Sequence, residues 1–401
     1  MAATVRRASR ADVPRLVEIH ARCYPDGRDD AERARRFERN PLGGLDDAWV
    51  VEDEEGVVAH AFLFSLDAFF GGRRVAVGAI ASVGVAPEAR RRGVASRLVE
   101  ELGALSLARG DALTVLHAVR ARFYERLGYA PPAPYVSLEV DPRALPEDPT
   151  RRRRLRMATG GDREAIEALH LAHAAARTGH VARPEALWDA RFSDPRLAYF
   201  VVEESPRLSG YVAYRVAEEA PHGRVLLDVD DLVADGPAAR RALVAHVRAQ
   251  RDQVHSVRMD VAMDDPLLFS LCDPDHPGSG SARTPHAFAR VSAGPMLRLV
   301  GPEALLVRGW PANGALAFRL RARAGPDLTY AIRADGGLAA RVEPEGLPIL
   351  SLDMRALASI AFGGLSVAGA HTLGLVEGTD DALAKADALL ALPPYFSPDP
   401  F

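Results

Sequence analysis

The sequence predicts a protein of the α/β class with several domains and central β-sheets. The chain has 401 residues, which exceeds one ordinary domain and suggests two to four. Apolar strand patterns alternate with helical ones along residues 1–290, and the same order of elements occurs twice, the second time in weaker form. We therefore expect a duplicated fold with diverged sequence, followed by a third region.

Composition excludes several classes of protein. Hydrophobic residues make up 48% and charged residues 26% of the chain, the profile of a soluble globular protein. The net charge of -4 argues against a nucleic-acid binder, which needs a basic face. No apolar run reaches the ~18 residues that span a bilayer, and no apolar signal core follows the N-terminus, so we expect a cytoplasmic protein. Cys23 and Cys272 are too isolated for a disulfide framework or a metal site. Lys385 is the only lysine.

The first region begins with a short strand and a helix that Asp12 is expected to cap, since Val13, Leu16 and Ile19 recur at helical spacing. A long apolar segment, a Gly71-Gly72 turn and a second apolar segment then predict a hairpin. In chain order we predict a strand at 5–8, a helix at 12–23, strands at 48–51, 57–69 and 75–85, a helix from 93, a strand at 113–116, a short helix at 123–127 and a strand at 135–140 that closes the set.

Weaker patterns organise the rest of the chain. Polar segments at 151–154 and 273–281 are expected to be linkers. The second region should contain a helix after Asp162, strands at 199–202, 210–214 and 225–233, and a helix after Pro237; the third should contain strands near 316–321, 328–331 and 338–342, and helices at 354–362 and 382–392. The last nine residues are rich in proline, which disfavours helix and strand.

The segment from Ser82 to Leu98 carries the clearest chemical signal. A strand ends at Pro87, a short turn follows, and a helix begins at Gly93. The first turn of a helix has unsatisfied N–H groups and a positive dipole end, which together can hold a diphosphate. Gly93 and Ala95 lack bulk, so phosphates can approach the backbone. The residues that we assign to this anion site are Arg90, Arg91, Arg92, Gly93, Val94, Ala95 and Ser96.

Two motifs resemble those of the GCN5-related N-acetyltransferase (GNAT) superfamily. Arg90-x-x-Gly93-x-Ala95 is similar to its Gln/Arg-x-x-Gly-x-Gly/Ala signature, and the segment from Phe123-Tyr124 to Gly128-Tyr129 is similar to its Phe-Tyr-x-x-x-Gly-Tyr/Phe element. The resemblance implies acetyl-coenzyme A as co-substrate. The backbone N–H groups of Val83, Gly84 and Val85 would then position the thioester and stabilise its oxyanion.

By this resemblance the hydroxyl of Tyr124 points at the coenzyme sulfur and is the candidate general acid. The ordinary pKa of a tyrosine is about 10 and that of a thiol about 8.5, so the transfer is uphill by about 2 kcal/mol. Either a positive neighbour lowers the pKa of the tyrosine, or the proton moves as the C–S bond breaks. No His or Glu of the first region lies in a recognisable motif for a general base, and we interpret His117, near a strand end, as a packed or surface residue.

The whole chain resembles the enhanced intracellular survival (Eis) family of acetyltransferases. Besides both motifs, the segments 210–215, 230–240, 296–300, 304–309 and 362–365 carry this resemblance. It implies tandem GNAT folds with mixed central sheets, at residues 1–145 (catalytic) and 146–290 (degenerate), and a sterol carrier protein-like α+β domain at 291–401. It also implies a homohexamer, no metal, and a general base formed by the C-terminal carboxylate, here that of Phe401.

The sequence specifies the acceptor of the acetyl group less closely than it specifies the donor. Where the family often has Ser-Glu, this chain has Val119-Arg120; a backbone contact to the coenzyme survives this change, and Arg120 could contact a phosphate. The family implies transfer through a ternary complex to primary amines of aminoglycoside-type polycations. Acidic residues at 26–32 could line a pocket for them, although a solvated surface explains them too. The alternatives are a polyamine or protein-lysine acetyltransferase, and a lipid-binding or assembly protein in which catalysis is secondary.

Overall fold

The computed structural model describes residues 3–131, 133–148, 155–204, 207–219, 223–272, 288–322 and 325–399. Contacts divide the chain into two units. The first consists of Met1–Ala133, Pro295–Pro393 and Asp399–Phe401, and the second of Pro134–Gly294 and Pro394–Pro398. The linkers expected at 151–154 and 273–281 lie outside the described residues, and the domain limits at 145 and 290 stay a prediction.

The first unit contains a six-stranded mixed sheet. Its strands, in spatial order, are β1 (Thr4–Arg7), β2 (Ala48–Asp53), β3 (Gly56–Phe70), β4 (Arg73–Val85), β5 (Leu113–Leu116) and β13 (Met296–Leu299). Neighbouring strands are antiparallel except β4 and β5, which are parallel. The predicted hairpin is confirmed, with Gly71 and Gly72 in its turn.

The N-terminal part of the first unit also contains four α-helices: α1 (Val13–Cys23), α2 (Asp30–Glu38), α3 (Val94–Ala108) and α4 (Ala121–Arg126). Both α1 and α3 pack on β3, whose residues 57–64 are all buried, so helices cover both faces of this strand. The apolar pattern of the sequence does not predict α2, because its buried positions are occupied by Phe37 and the charged Arg33. A capping box formed by Asp29 and Glu32 was the available signal.

The C-terminal part of the first unit forms a second sheet. Its strands, in spatial order, are β16 (Leu338–Arg341), β15 (Leu328–Asp335), β14 (Gly314–Leu320), β17 (Ile349–Leu352) and β18 (Val376–Glu377). The helices of this part are α8 (Ala304–Val307), α9 (Met354–Ala361), α10 (Val367–Thr372) and α11 (Asp380–Leu390). On α11, Lys385 forms an ion pair of 2.7 Å with Asp381. Among the described helices of both units, none is long and apolar enough to cross a membrane.

The second unit is built on a seven-stranded sheet. Its strands, in spatial order, are β12 (Ala289–Ala293), β6 (Pro134–Val140), β11 (Ser256–Val261), β10 (Arg224–Ala234), β9 (Arg207–Glu219), β8 (Ala198–Glu204) and β7 (Leu155–Met157). Only the pair β10–β11 is parallel. From β7 to β11 the order and the directions repeat those of β1 to β5, which confirms the predicted duplication.

Helices cover both faces of the second unit's sheet. They are α5 (Arg163–Ala175), α6 (Glu185–Phe192) and α7 (Pro237–Arg248). One core contains Leu243 and Val247 of α7. The other contains Ile166 of α5 and Trp188 of α6. The sheet therefore lies between two helical layers.

Strand β6 corrects one expectation. The sequence predicts a strand at Tyr135–Val140, and the structure confirms it, but the strand does not close the first sheet. It pairs with β11 and β12 in the second unit, where Val136 and Leu138 join the core. The corresponding place beside β5 is taken by β13.

A side-chain motif recurs at the start of both folds. The Arg6 guanidinium donates two hydrogen bonds to the Asp12 carboxylate, at 2.8 and 2.9 Å, and Arg156 donates two of the same lengths to Asp162. Each carboxylate also accepts from the backbone N–H three residues before it, at 2.7 Å. Asp12 therefore closes the turn before α1 instead of capping the helix with its side chain, as we had expected.

This motif yields a prediction about acid stability. The guanidinium hydrogen bond holds the pKa of Asp162 well below its usual range. The stabilisation is present above the unfolded pKa of about 3.9 and is lost as the pH falls from there towards the folded value. Replacing Asp162→Asn should lower the free energy of unfolding by about 1–2 kcal/mol at pH 7 and by progressively less below pH 4, measured by urea unfolding.

Asp189→Asn is the matched control, because Asp189 pairs with Arg163 on the surface, where its side chain is 57% exposed. It should change the unfolding free energy by less than about 0.5 kcal/mol. An equal loss in both variants, or a loss for Asp162→Asn that does not shrink in acid, would contradict the assignment.

Candidate active site

The site is organised by the separation of β4 from β5. Their parallel pairing ends at Ala79 and Val115, whereas β4 continues to Val85. The register of β4 against β3 shifts in the same place, and Ser82 has a φ of 51°, in the left-handed region that is strained for a residue with a side chain. The last residues of β4 therefore have β3 on one side and an open edge on the other.

The peptide groups of this edge have a defined orientation. The N–H of Ala86 donates to Val58 on the β3 side, so the peptide groups of Val83 and Val85 point to the open edge, since alternate residues of a strand point to opposite sides. Both carbonyls are occupied. The Tyr24 hydroxyl donates to Val83 O at 2.9 Å, and Arg90 Nε donates to Val85 O at 3.2 Å. The two N–H groups on that edge are what a ligand would contact.

Buried polar residues lie next to the open edge of β4. His60 lies opposite Gly84 in the β3–β4 pairing and is fully buried. Burial lowers its pKa to about 3, so the ring is neutral. Its neighbour His20, 5.9 Å away between ring centroids, contacts the Arg33 guanidinium at 2.8 Å. The sequence patterns did not point to Tyr24 or His60; the signal for His60 was a lone polar residue within the apolar segment 57–64 of β3.

Acidic residues between α1 and α2 are engaged locally. Asp26 is bonded to Arg28 and, at 2.7 Å, to Arg33. Asp29 and Glu32 form the capping box of α2. Asp26 is therefore paired with arginines, whereas Asp29 and Glu32 bond the backbone, and Asp30 has no hydrogen bond or ion pair among the described residues.

The predicted anion site lies where α3 begins. Arg92 forms a 3.5 Å ion pair with Asp53, whereas Arg91, with a φ of 63°, has no ion pair or hydrogen bond among the described residues. Gly93 has a φ of +81°, and open space lies where its Cβ would be. No side chain caps the helix there. Val94, Ala95 and Ser96 form its first turn, so the backbone can receive a bulky anion.

Tyr124 lies on α4 and is 9% exposed. Burial raises the pKa of its hydroxyl above the ordinary value. Burial also raises the pKa of Tyr24, and the nearby Tyr124 contributes to that shift. Tyr124 therefore lies close to the residue that bonds Val83. Val119 and Arg120 precede α4 and are exposed, and His117 directly follows β5.

Two further predictions concern Phe401 and the absence of a metal. Phe401 lies outside the described residues. Among the described residues, no group of three His, Cys, Asp or Glu side chains is arranged to hold a metal ion, and chemistry without a metal stays a prediction.

Three family models match the chain. An acetyltransferase (GNAT) domain matches residues 4–131, a second GNAT domain matches 179–299, and a sterol carrier protein domain matches 302–397. Uncharacterized N-acetyltransferases of Streptomyces griseus and Streptomyces avermitilis are each 29% identical to this chain. The alignments cover 80% of this chain and 80% and 79% of the respective relatives.

Solved structures show the same fold. A GCN5-related N-acetyltransferase from Anabaena variabilis superimposes with a TM-score of 0.85 at 20% identity, over 100% of both chains. Eis1 from Mycobacterium abscessus superimposes with a TM-score of 0.76 at 25% identity, over 99% of this chain and 100% of that one. The chain is therefore an N-acetyltransferase built of two GNAT domains followed by a sterol carrier protein domain, and Eis1 from Mycobacterium abscessus is one of its structural neighbours.

Proposed function

We propose that this enzyme transfers the acetyl group of acetyl-coenzyme A to a primary amine of a small cationic molecule, with aminoglycoside-type polycations as the first candidates. The observation that carries the proposal is the open edge of β4 leading directly into the uncapped start of α3. A cytoplasmic location, a homohexamer and the absence of nucleic-acid partners belong to the same proposal and rest on composition and on the family resemblance.

The residues present fit the coenzyme. When bound, acetyl-coenzyme A supplies the acetyl group as a thioester. The N–H groups of Val83 and Val85 would orient that thioester, and Gly84 lies between them. The backbone of Gly93 to Ser96 would hold the diphosphate at the positive end of a 15-residue helix. Arg91 is available for a phosphate. Arg120, which is exposed and directly precedes α4, is a second arginine that could contact a phosphate.

A substitution at Gly93 tests this assignment. Gly93→Val places a β-branched residue at positive φ where the diphosphate approaches, so the Kd for coenzyme A should rise at least about tenfold. Gly110→Val is the matched control. Gly110 has a similar φ of +88° and open space around it, but it follows the C-terminal end of α3.

Isothermal titration calorimetry of both variants with coenzyme A gives the comparison. If Gly93→Val and the wild type bind coenzyme A with equal affinity, the diphosphate does not bind at this turn. A wild-type protein that binds no coenzyme A at all would favour the lipid-binding or assembly role for the chain.

Tyr124 is proposed to protonate the departing thiolate. Since burial raises its pKa, the hydroxyl holds its proton throughout the neutral range. The first of the two routes considered above, a lowered pKa, is therefore not supported. The second route remains, in which the proton passes from Tyr124 to the sulfur as the C–S bond breaks, because sulfur becomes basic only as the bond lengthens.

Tyr124→Phe removes this proton and keeps the ring. We expect kcat to fall about 100-fold, with the Kd for coenzyme A changed less than threefold. Because the pKa is raised, the wild-type rate should show no alkaline loss below about pH 10 from this tyrosine. Steady-state release of coenzyme A between pH 6 and 10 measures both; a variant with wild-type kcat would exclude Tyr124 as the acid.

The general base is proposed to be the terminal carboxylate of Phe401. The resemblance to the Eis family supports this, whereas His20 and His60 are buried, and burial lowers both pKa values, to about 4 and about 3. An ordinary α-carboxylate has a pKa near 3.5, so it would act through a bridging water or by attracting a cationic amine.

Adding one glycine after Phe401 moves the carboxylate by about 3.5 Å and should reduce kcat at least tenfold, measured by coenzyme A release at saturating amine. Phe401→Leu, which keeps the carboxylate at the same position, is the control and should retain most of the turnover. Full activity in the extended enzyme would refute the role of the carboxylate.

The acceptor class needs its own test. Aminoglycosides carry several positive charges, yet Asp26, Asp29 and Glu32 are already bonded within the protein. This observation favours a second candidate, an amine of lower charge such as a lysine side chain in a peptide. Coenzyme A release with aminoglycosides, polyamines and lysine peptides will rank them by kcat/KM. A preference for lysine peptides over all polycations would replace the first candidate by the second.

A further inference from the structure

The second unit keeps the separated strands of an acetyltransferase. β10 and β11 pair in parallel only as far as Val229 and Met259, while β10 continues to Ala234 and β11 to Val261. The register of β10 against β9 shifts at the same point. These are the two features that open the edge of β4 in the first unit. We call the space between β10 and β11 beyond Val229 and Met259 the second opening.

This opening has lost the features that suit a coenzyme. β10 is followed within three residues by α7, whose first residue is Pro237, and a proline has no N–H to offer a phosphate. Asp230 and Asp231 lie at the opening itself, where Asp231 is 6% exposed and bonded to Arg183 at 2.7 Å. Carboxylates at this place disfavour a diphosphate.

The C-terminal tail lies beside the second opening. A cavity of about 60 Å³ there is lined by the ends of β10 and β11 and by Pro394, Phe396 and Pro398 of the C-terminal tail. His170 and His180, each at most 5% exposed, complete the wall. The tail thus forms one side of the cleft that a GNAT fold normally opens to its coenzyme.

Specific contacts hold the tail to the segment after α5. The N–H of Phe396 donates to Thr178 O at 3.0 Å, and Thr178 forms a parallel bridge with Tyr395. Tyr395 is 3% exposed, and a Cβ added to Gly179 would overlap its ring. The ring of Phe396 lies 5.7 Å from that of His180. Backbone, ring and close-approach contacts therefore fix the same two tail residues.

We propose that the second opening is a dock for the chain's own C-terminal tail, and that Gly179, Tyr395 and Phe396 are positioning residues for the terminal carboxylate. Its consequence for turnover rests on the proposed function, in which that carboxylate is the base. The degenerate GNAT domain then has a role in the reaction that requires no coenzyme.

Chain length sets the size of the effect. Phe401 is the third residue after Pro398, so a docked tail confines it to within about 11 Å of Pro398. Complete release of the tail back to Pro393, eight residues before Phe401, which includes freeing the buried Asp399, would extend this reach to about 29 Å. The volume ratio is roughly 20, which is the expected fall in the effective concentration of the carboxylate.

The full-length protein can be tested with Gly179→Ala. Amide hydrogen exchange at Phe396, followed by mass spectrometry of the tail peptide, should accelerate at least tenfold. The kcat should fall about 10- to 20-fold, with the KM for acetyl-coenzyme A unchanged. Gly223→Ala is the control: Gly223 also has positive φ, +62°, in the β9–β10 hairpin, with only an ordinary contact at 3.4 Å. It should exchange and turn over like wild type.

Variants of Tyr395 complete the test. Tyr395→Ala should behave like Gly179→Ala, and Tyr395→Phe, which keeps the ring, should retain the protection. If Phe396 stays protected in both Gly179→Ala and Tyr395→Ala, the dock is refuted. If protection is lost but kcat is unchanged, the dock stands and its role in positioning the carboxylate is refuted. The glycine extension after Phe401 separates the two hypotheses, because it should leave Phe396 protected whether or not the carboxylate is the base.

Discussion

Most of this structure depends on one constraint: the parallel strands β4 and β5 separate before β4 ends. Beyond Ala79 and Val115, the edge of β4 has no strand partner, and a buried peptide group left unpaired costs about 1–3 kcal/mol. The protein satisfies the carbonyls with Tyr24 and Arg90 and leaves N–H groups for a ligand. In the proposed function, the coenzyme would complete a sheet edge that the fold leaves unpaired.

In the second unit, the protein's own C-terminal tail lies beside the corresponding opening. The strands of this unit separate at Val229 and Met259, and tail residues line the space. The two copies share the arginine–aspartate motif at their starts, Arg6 with Asp12 and Arg156 with Asp162. They differ at the turn before the following helix. The features that build the fold have therefore been retained in both copies, whereas the turn proposed to bind phosphate occurs in one.

Local signals made much of the fold predictable, and also the strand–turn–helix geometry of the candidate site. The hairpin of β3 and β4 and the turn at Gly93 depend on residues adjacent in sequence, and their patterns were read correctly as structure. Strand β6 was recognised, but its sheet was not, because its partners in β11 are more than a hundred residues away. Tyr24 and His60 were missed for the same reason: their positions beneath β4 follow from packing between distant segments.

The near-absence of lysine has a chemical consequence. An enzyme that acetylates amines is itself exposed to its acyl donor at close range, and arginine side chains, which stay protonated, are poor nucleophiles. Of the 50 basic side chains, Lys385 alone carries an amine, and it is held in an ion pair with Asp381 on α11. The protein therefore offers a single side-chain position for self-modification, and nearly all its positive charge survives contact with an activated acetyl group.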